Sequence, residues 1–332
     1  MKKYAGTVLT ALIVVALICV SLTLGNEPLT ARQRDTLVVL VSLCLSSAVY
    51  CFVVGEAAQN FSQMDKLWSV LPIVYTWIVA VRGGMKIRLV LFALIVTAWG
   101  VRLTVNFARK GAYSLKFWEG VEDYRWAIVR KNRIFRSRVA WALFDLFFIS
   151  LYQNALVLGI CLPALACMES VEPLGMVDFI AAGAALLFWA LETVADEIQW
   201  RFHKTKKALL EEKGSLDQLP APYNLGFNTR GIWGIMRHPN YLGEQGFWLS
   251  LYFFTLNAGV TAGGFHKTAV APLLLILLFM GSSALSEAIS AKKYPLYGAY
   301  VDQVAKYLPS NRFDPSLAGE EEEEKEEEEA QT

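Results

Sequence analysis

Arg237-His238-Pro239-Asn240-Tyr241-Leu242-Gly243-Glu244 places a guanidinium, an imidazole, a carboxamide, a phenol and a carboxylate directly ahead of the apolar run Phe247 to Leu256. Such groups are costly at the edge of hydrocarbon unless they meet each other or a polar ligand. Pro239 biases His238 away from helical geometry and suits the first turn of a helix itself. A helix starting near Pro239 is therefore expected, with Asn240, Tyr241 and Glu244 on its first turns. The N-terminal N–H groups and positive dipole end of such a helix suit an anion, and Arg237 adds a fixed charge.

Three apolar stretches carry further polar groups at helical spacing. Trp99, Arg102, Asn106 and Arg109 share one helical face, as do Glu192, Asp196, Gln199 and His203; Ser283 and Glu287 lie one turn apart. A charge at mid-membrane costs about 2.5–3.5 kcal/mol on insertion scales unless it faces a partner or a cavity. A salt-bridge brace, Arg102 with Glu192 or Asp196, is one explanation. A pocket at one end of the bundle is the other, and the number of polar faces favours it. The loop Glu122-Asp123-Tyr124-Arg125-Trp126 is expected beside that end, where an interfacial Trp/Tyr belt would also account for it.

The elements that position these groups follow from composition. Hydrophobic residues make up 55% of the 332-residue chain, aromatic residues 13% and charged residues 18%, with a net charge of +1. That is an all-α, polytopic transmembrane helix bundle. Apolar spans read near 5–24, 36–56, 67–81, 88–108, 139–165, 174–196, 243–260 and 269–288, about eight in all, of which 67–81 is short. The first reads as a retained span rather than a cleaved leader. Lys and Arg concentrate in the 109–138 and 197–240 connections. The positive-inside rule then puts both loops and both termini in the cytoplasm, with Arg82 to Arg88 as the exception. Residues 320–329 are nearly all glutamate and read as a disordered acidic tail. The organisation expected is N-terminal spans over 1–57, a membrane domain over 58–312 and the tail over 313–332. The five cysteines, all in or beside apolar runs without a CxxC, read as reduced packing residues, and the three histidines show no metal spacing. No nucleic-acid-binding module is visible.

The octapeptide, led in by Thr229-Arg230-Gly231-Ile232-Trp233-Gly234, resembles the signature of the membrane family that includes the steroid 5α-reductases. More closely it resembles an uncharacterised branch with the same C-terminal domain. Asn106 to Gly111 followed by the acidic-Tyr-Arg-Trp run, Asp65-Lys66-Leu67-Trp68-Ser69 with Pro72, Gln153-Asn154 with Leu162-Pro163, and Tyr294-Pro295 with Tyr297 and Tyr300 extend the likeness over about residues 58–308. The shorter core of Arg237, His238, Pro239, Tyr241 and Gly243 is also similar to the isoprenylcysteine carboxyl methyltransferases.

The resemblance implies an endomembrane protein, such as one of the endoplasmic reticulum, that binds NADPH from the cytosol and reduces a double bond conjugated to a carbonyl in a lipid: a sterol, polyprenoid or acyl chain. Asn240, Glu244 and Asp196 match cofactor-contacting positions, and Glu192 falls where that family has Asn. Arg102, Arg125 and Arg237 are the expected phosphate or ribose contacts, with Asn106 and Asp123 beside them. No GxGxxG follows a strand, which excludes a soluble-type dinucleotide domain. Hydride transfer requires a donor that stabilises the enolate oxygen. The carbonyl-binding Glu and Tyr of the steroid reductases fall here near Trp68-Ser69 and Trp99, so Asp65, Tyr75, Tyr241 and His238 stand as replacements. The rival readings are a membrane methyltransferase using S-adenosylmethionine, which has no phosphate to need three arginines, and a lipid-binding protein without catalysis.

Overall fold

The computed structural model describes residues 2–23, 28–261 and 264–317, with side chains from residue 8 onward. The glutamate tail lies outside the described residues. The described chain is all-helical, without a β-sheet, and divides into two compact units. The first comprises Met1–Leu186 with Phe247–Ile276, and the second Leu187–Gly246 with Leu277–Thr332.

In the first unit α1 (Lys2–Thr23) is followed by α2 (Ala31–Ala58). A capping box opens α2, with Thr30 accepting from Gln33 N–H and Gln33 answering to the Thr30 N–H. Gln59, in left-handed conformation at φ 51°, closes it. The segment expected as one span over 67–81 is instead a short α3 (Gln63–Leu67) and the 12-residue α4 (Leu71–Arg82). At 1.5 Å per residue α4 reaches roughly 18 Å, short of a hydrocarbon core. Next come α5 (Ile87–Ala108), the short α6 (Tyr124–Arg130) and one helical run built of α7 (Arg138–Phe144), a π-helical stretch (Asp145–Tyr152) and α8 (Gln153–Ala166). Helices α2, α4, α5 and α8 form the packed centre of this unit. Trp99 of α5 is fully buried there, stacked on Phe247 at 5.6 Å and edge-on to Trp248 at 4.9 Å. Elsewhere in the unit Arg88 and Asp178 form a buried ion pair at 3.0 Å, to which Asn257 also donates.

Helix α9 (Met176–Lys213) runs 38 residues, well past the boundary near 196 drawn from hydropathy. Past residue 196 no Gly or Pro occurs before Gly214, and pairs one turn apart, such as Arg201 with Glu197 at 2.7 Å, support its polar half. Helix α10 (Pro239–Tyr252) starts at the proline as expected, but the span read over 243–260 breaks at Phe253, and α11 (Phe254–Asn257) is a single turn. Helices α12 (Val270–Lys293) and α13 (Tyr297–Gln303) follow. The second unit is anchored by an aromatic core of Phe227, Tyr294, Tyr297, Tyr300 and Phe313. Lys206 of α9 is buried against it, its Nζ donating to the Gly226 carbonyl at 2.6 Å and lying over the Tyr294 ring.

Among the described residues, five helices are long and apolar enough to cross a membrane: α2, α5, the α7–α8 run, α9 and α12. Two shorter apolar helices, Val8–Thr23 and Leu71–Arg82, accompany them. The protein is a helical membrane protein. The described cysteines are free, and all but Cys19 are buried.

Candidate functional site

In the second unit the octapeptide divides into a brace and an acceptor patch. The brace is centred on Glu287 of α12. Its Oε1 takes Arg237 Nε at 2.9 Å and His238 Nε2 at 2.8 Å, and its Oε2 faces Lys306 Nζ at 3.5 Å. Arg237 also donates from Nη1 to the carbonyls of Val301 and Val304. The backbone joins in, with Arg237 N–H bonded to Ala305 O and His238 N–H to Lys306 O, each at 3.0 Å. Arg237 and His238 are under a tenth exposed. Arg237, expected to contact phosphate, spends its Nε on a carboxylate and its Nη1 on two carbonyls. Burial holds the His238 pKa below its ordinary value, against the opposing pull of Glu287. Arg237 and Lys306 already balance Glu287, so a neutral imidazole donating from Nε2 suffices. The His238 ring stacks on Tyr241 at 5.1 Å, and Tyr241 meets Phe279 edge-on at 4.6 Å. Those two residues, expected as catalytic donors, stand in a packed column of rings.

The acceptor patch faces α9. Gly243 permits a close approach, since a Cβ there would lie 2.7 Å from Glu192 Cβ and 2.9 Å from the Phe188 carbonyl oxygen. One turn earlier on α10, Asn240 donates from Nδ2 to Asp196 Oδ1 at 3.3 Å. Asn240 Oδ1 is buried without a hydrogen-bond partner. Glu192 and Glu244 are each 4% exposed. Asn240 and Glu244 share a face of α10, as Glu192 and Asp196 share a face of α9. The structure thus assembles Glu192, Asp196 and Asn240 into one patch, with Glu244 a turn along from Asn240.

The remaining expected residues belong to the first unit. Asp123 caps α6, accepting from Arg125 N–H, and takes the Arg125 guanidinium in a two-point ion pair at 2.9 and 2.8 Å. Two residues expected to serve a cofactor thus bind each other. Burial opposes ionisation of Asp123, but Arg125 outweighs it and keeps the carboxyl below its ordinary range. Asp65 accepts from Trp126 Nε1 at 3.1 Å. Burial, reinforced by the Asp123 charge, raises the Asp65 pKa. Asp65 is not the cap of its helix, a position held by Ser62. Asn106, 6% exposed on α5, accepts from Arg109 Nε at 3.0 Å. Arg102 lies on the same helix, four residues earlier and half-buried. Tyr75 is fully buried on α4, and its hydroxyl has no hydrogen-bond partner.

Glu287 and Lys306 are the members of the brace to which sequence reading gave no role. The only signal for Glu287 was a carboxylate one turn from Ser283 in an apolar helix. Lys306 carried none, because it follows the helix ends. No group of three or more His, Cys, Asp or Glu that could hold a metal occurs among the described residues.

A protein of Schizosaccharomyces pombe titled "Uncharacterized protein C594.04c" is 34% identical over 265 residues, covering 76% of this chain and 73% of its own. No solved structure matches. The model of the family described as "Protein of unknown function (DUF1295)" matches residues 51–304, a stretch that takes in the Arg237–Glu287 brace and the acceptor patch around Asn240. The chain therefore belongs to the DUF1295 family.

Proposed function

We propose that this protein is an integral-membrane reductase that binds NADPH through the α9–α10 patch and reduces an activated carbon–carbon double bond in a lipid. The observation that carries the reading is the acceptor set of the second unit: Asn240 with a buried, unpartnered Oδ1, held to Asp196 beside Glu192. Ribose hydroxyls and a nicotinamide carboxamide are donors, and such a set matches them. Bound NADPH would supply a hydride to the β-carbon of a double bond conjugated to a carbonyl. The chain's part is to bind, orient and exclude water. Asn240, Asp196, Glu192 and Glu244 hold the ribose and carboxamide end. The Glu287 brace fixes the start of α10, so that Asn240 keeps its place. The steroid-reductase resemblance of the octapeptide supports the same reading, as does a lipid-facing stripe of exposed Val38, Val41, Leu45, Val49 and Val53 on α2.

In this reading the eight apolar segments all serve as spans or part-spans, both termini are cytoplasmic and the compartment is the endoplasmic reticulum or another endomembrane. A second reading, lipid binding without catalysis, is favoured by one observation. Trp99, near which the steroid reductases' carbonyl-binding Tyr falls by resemblance, is sealed in an aromatic cluster with Phe247 and Trp248. Thermal-shift titration of the purified protein with NADPH, NADH and S-adenosylmethionine separates the readings. Stabilisation by NADPH supports the reductase, stabilisation by the methyl donor alone replaces it with a methyltransferase, and no shift with any leaves the lipid-binding protein.

A further inference from the structure

A second polar cluster lies in the first unit, where the mechanism above uses nothing. Asp145 opens the π-helical stretch and is 1% exposed. Its Oδ1 accepts from Ser150 Oγ at 3.3 Å, while its Oδ2 has no hydrogen-bond partner. That free oxygen faces Gly55 of α2, where a Cβ would stand 3.6 Å from it and clash with nothing. The absent side chain leaves room beside the carboxylate. Glu56 follows on α2; its charge interacts with Asp145, and its Oε1 is also buried and unpartnered. Neither carboxylate has an ion-pair partner among the described residues.

Two further side chains at the same place are fully buried, each with one polar atom that has no partner. Asn154 spends its Nδ2 on the Ser150 carbonyl at 2.8 Å and reaches Cys51 Sγ, one turn from Gly55, at 3.8 Å; its Oδ1 has no partner. Trp141 lies one turn before Asp145, whose N–H bonds its carbonyl. Its ring packs edge-on to Phe61 at 5.0 Å, and Phe61 also borders Gly55. Trp141 Nε1 is an unpartnered donor. Arg130 covers the rim, its guanidinium carbon 5.2 and 5.3 Å from the Phe61 and Trp141 ring centres.

The inventory is three open acceptors, two of them on carboxylates, and one open donor. An isolated buried carboxylate is strongly disfavoured, and a buried polar atom without a partner costs about 1–3 kcal/mol. An ammonium offers three donors and a positive charge, and a hydroxyl beside it offers an oxygen to an indole N–H. From this match we infer that Gly55, Glu56, Trp141, Asp145 and Asn154 form a membrane-depth site for the head of a long-chain amino alcohol. The ammonium sits by Gly55 on Asp145, Glu56 and Asn154, and the adjacent hydroxyl accepts from Trp141. The aliphatic chain leaves along the exposed apolar face of α2 that ends at Val53. This site stands whether or not NADPH binds the second unit.

The test uses the full chain in phosphatidylcholine nanodiscs, with thermal unfolding read against added sphinganine, dodecylamine and dodecanol. Sphinganine should raise the midpoint by several degrees, dodecylamine by less, and dodecanol not at all. Asp145→Asn should abolish the sphinganine shift. An equal shift with dodecanol, or a shift retained in Asp145→Asn, overturns the proposal. If Asp145→Asn does not fold, Gly55→Val decides, because it keeps every charge and fills the space. Loss of the shift there supports the site, and its retention refutes it.

Discussion

Glu287 and Asp145 are both carboxylates on apolar helices, and their surroundings are opposite. Glu287 faces an arginine, a histidine and a lysine, and its charge is more than balanced. Asp145 faces one serine hydroxyl and the field of a second carboxylate. Hydropathy cannot tell the two apart, since each is a single acid within an apolar run. The count of partners can. A carboxylate saturated by cations from its own chain is a fastener, and one left with open lone pairs beside a missing side chain is a receptor. The Asn240 patch lies between these limits, with one bond made and one acceptor open.

The sharpest break of that contrast is Glu287→Ala. It leaves the buried Arg237 and the partly buried Lys306 without their anion, and stripping one partner from a buried ion pair costs about 3–5 kcal/mol. The melting midpoint and yield of folded protein should both collapse. Replacing Glu287 and Arg237 together by leucine should recover part of the loss, because the stranded charge goes with them. A mild phenotype in Glu287→Ala would show that the brace holds nothing. Next in size is Asn240→Ala, which removes the open acceptor without stranding a charge. It should weaken NADPH binding about tenfold, or about 1.4 kcal/mol, with little change in melting. Isothermal titration beside a melting curve checks both. Misfolding would move Asn240 into the fastener class.

How much of this was legible from sequence follows from what periodicity encodes. The apolar runs located α2, α5 and α12, and Pro239 located the start of α10, because length and proline geometry are local properties. The polar face of α9 was legible too, since Glu192 and Asp196 recur at one turn. The π-helical stretch at Asp145–Tyr152 was not, because no residue type marks an extra residue per turn. The break at Phe253 was equally silent, lacking Gly or Pro. The roles of individual charges were legible least. Arg237 meets its carboxylate 50 residues away in sequence, and Asp123 meets Arg125 only two away. A helical face announces that a charge needs a partner, but the partner's identity is a property of packing. Arg237 therefore read as a ligand contact with no hint of its bond to Glu287, and Asp145 read as nothing.

A smaller effect comes from Asp145→Asn without any added ligand. Removing a charge that has no counter-ion should leave stability within about 0.5 kcal/mol of the parent, or raise it. The same exchange at Glu287 should be clearly destabilising. Comparing the two melting midpoints in neutral nanodiscs measures the difference between the regions directly, and equal losses at both positions would erase it.

The subtlest prediction concerns His238, where burial and Glu287 pull in opposite directions and burial prevails, placing the folded pKa below 6.5. The unfolded imidazole takes a proton below about 6.5, while the folded one refuses it until the pH reaches the depressed value. Stability tied to this residue is thus fully present above pH 6.5 and declines as the pH falls through the folded pKa. His238→Gln can still donate to Glu287 but does not titrate, so its melting midpoint should fall less than the parent's between neutral and mildly acidic pH. Were the imidazolium–Glu287 attraction the stronger influence, acidification would stabilise the parent relative to the variant. The sign of that difference therefore reports whether Arg237 and Lys306 alone already satisfy the carboxylate.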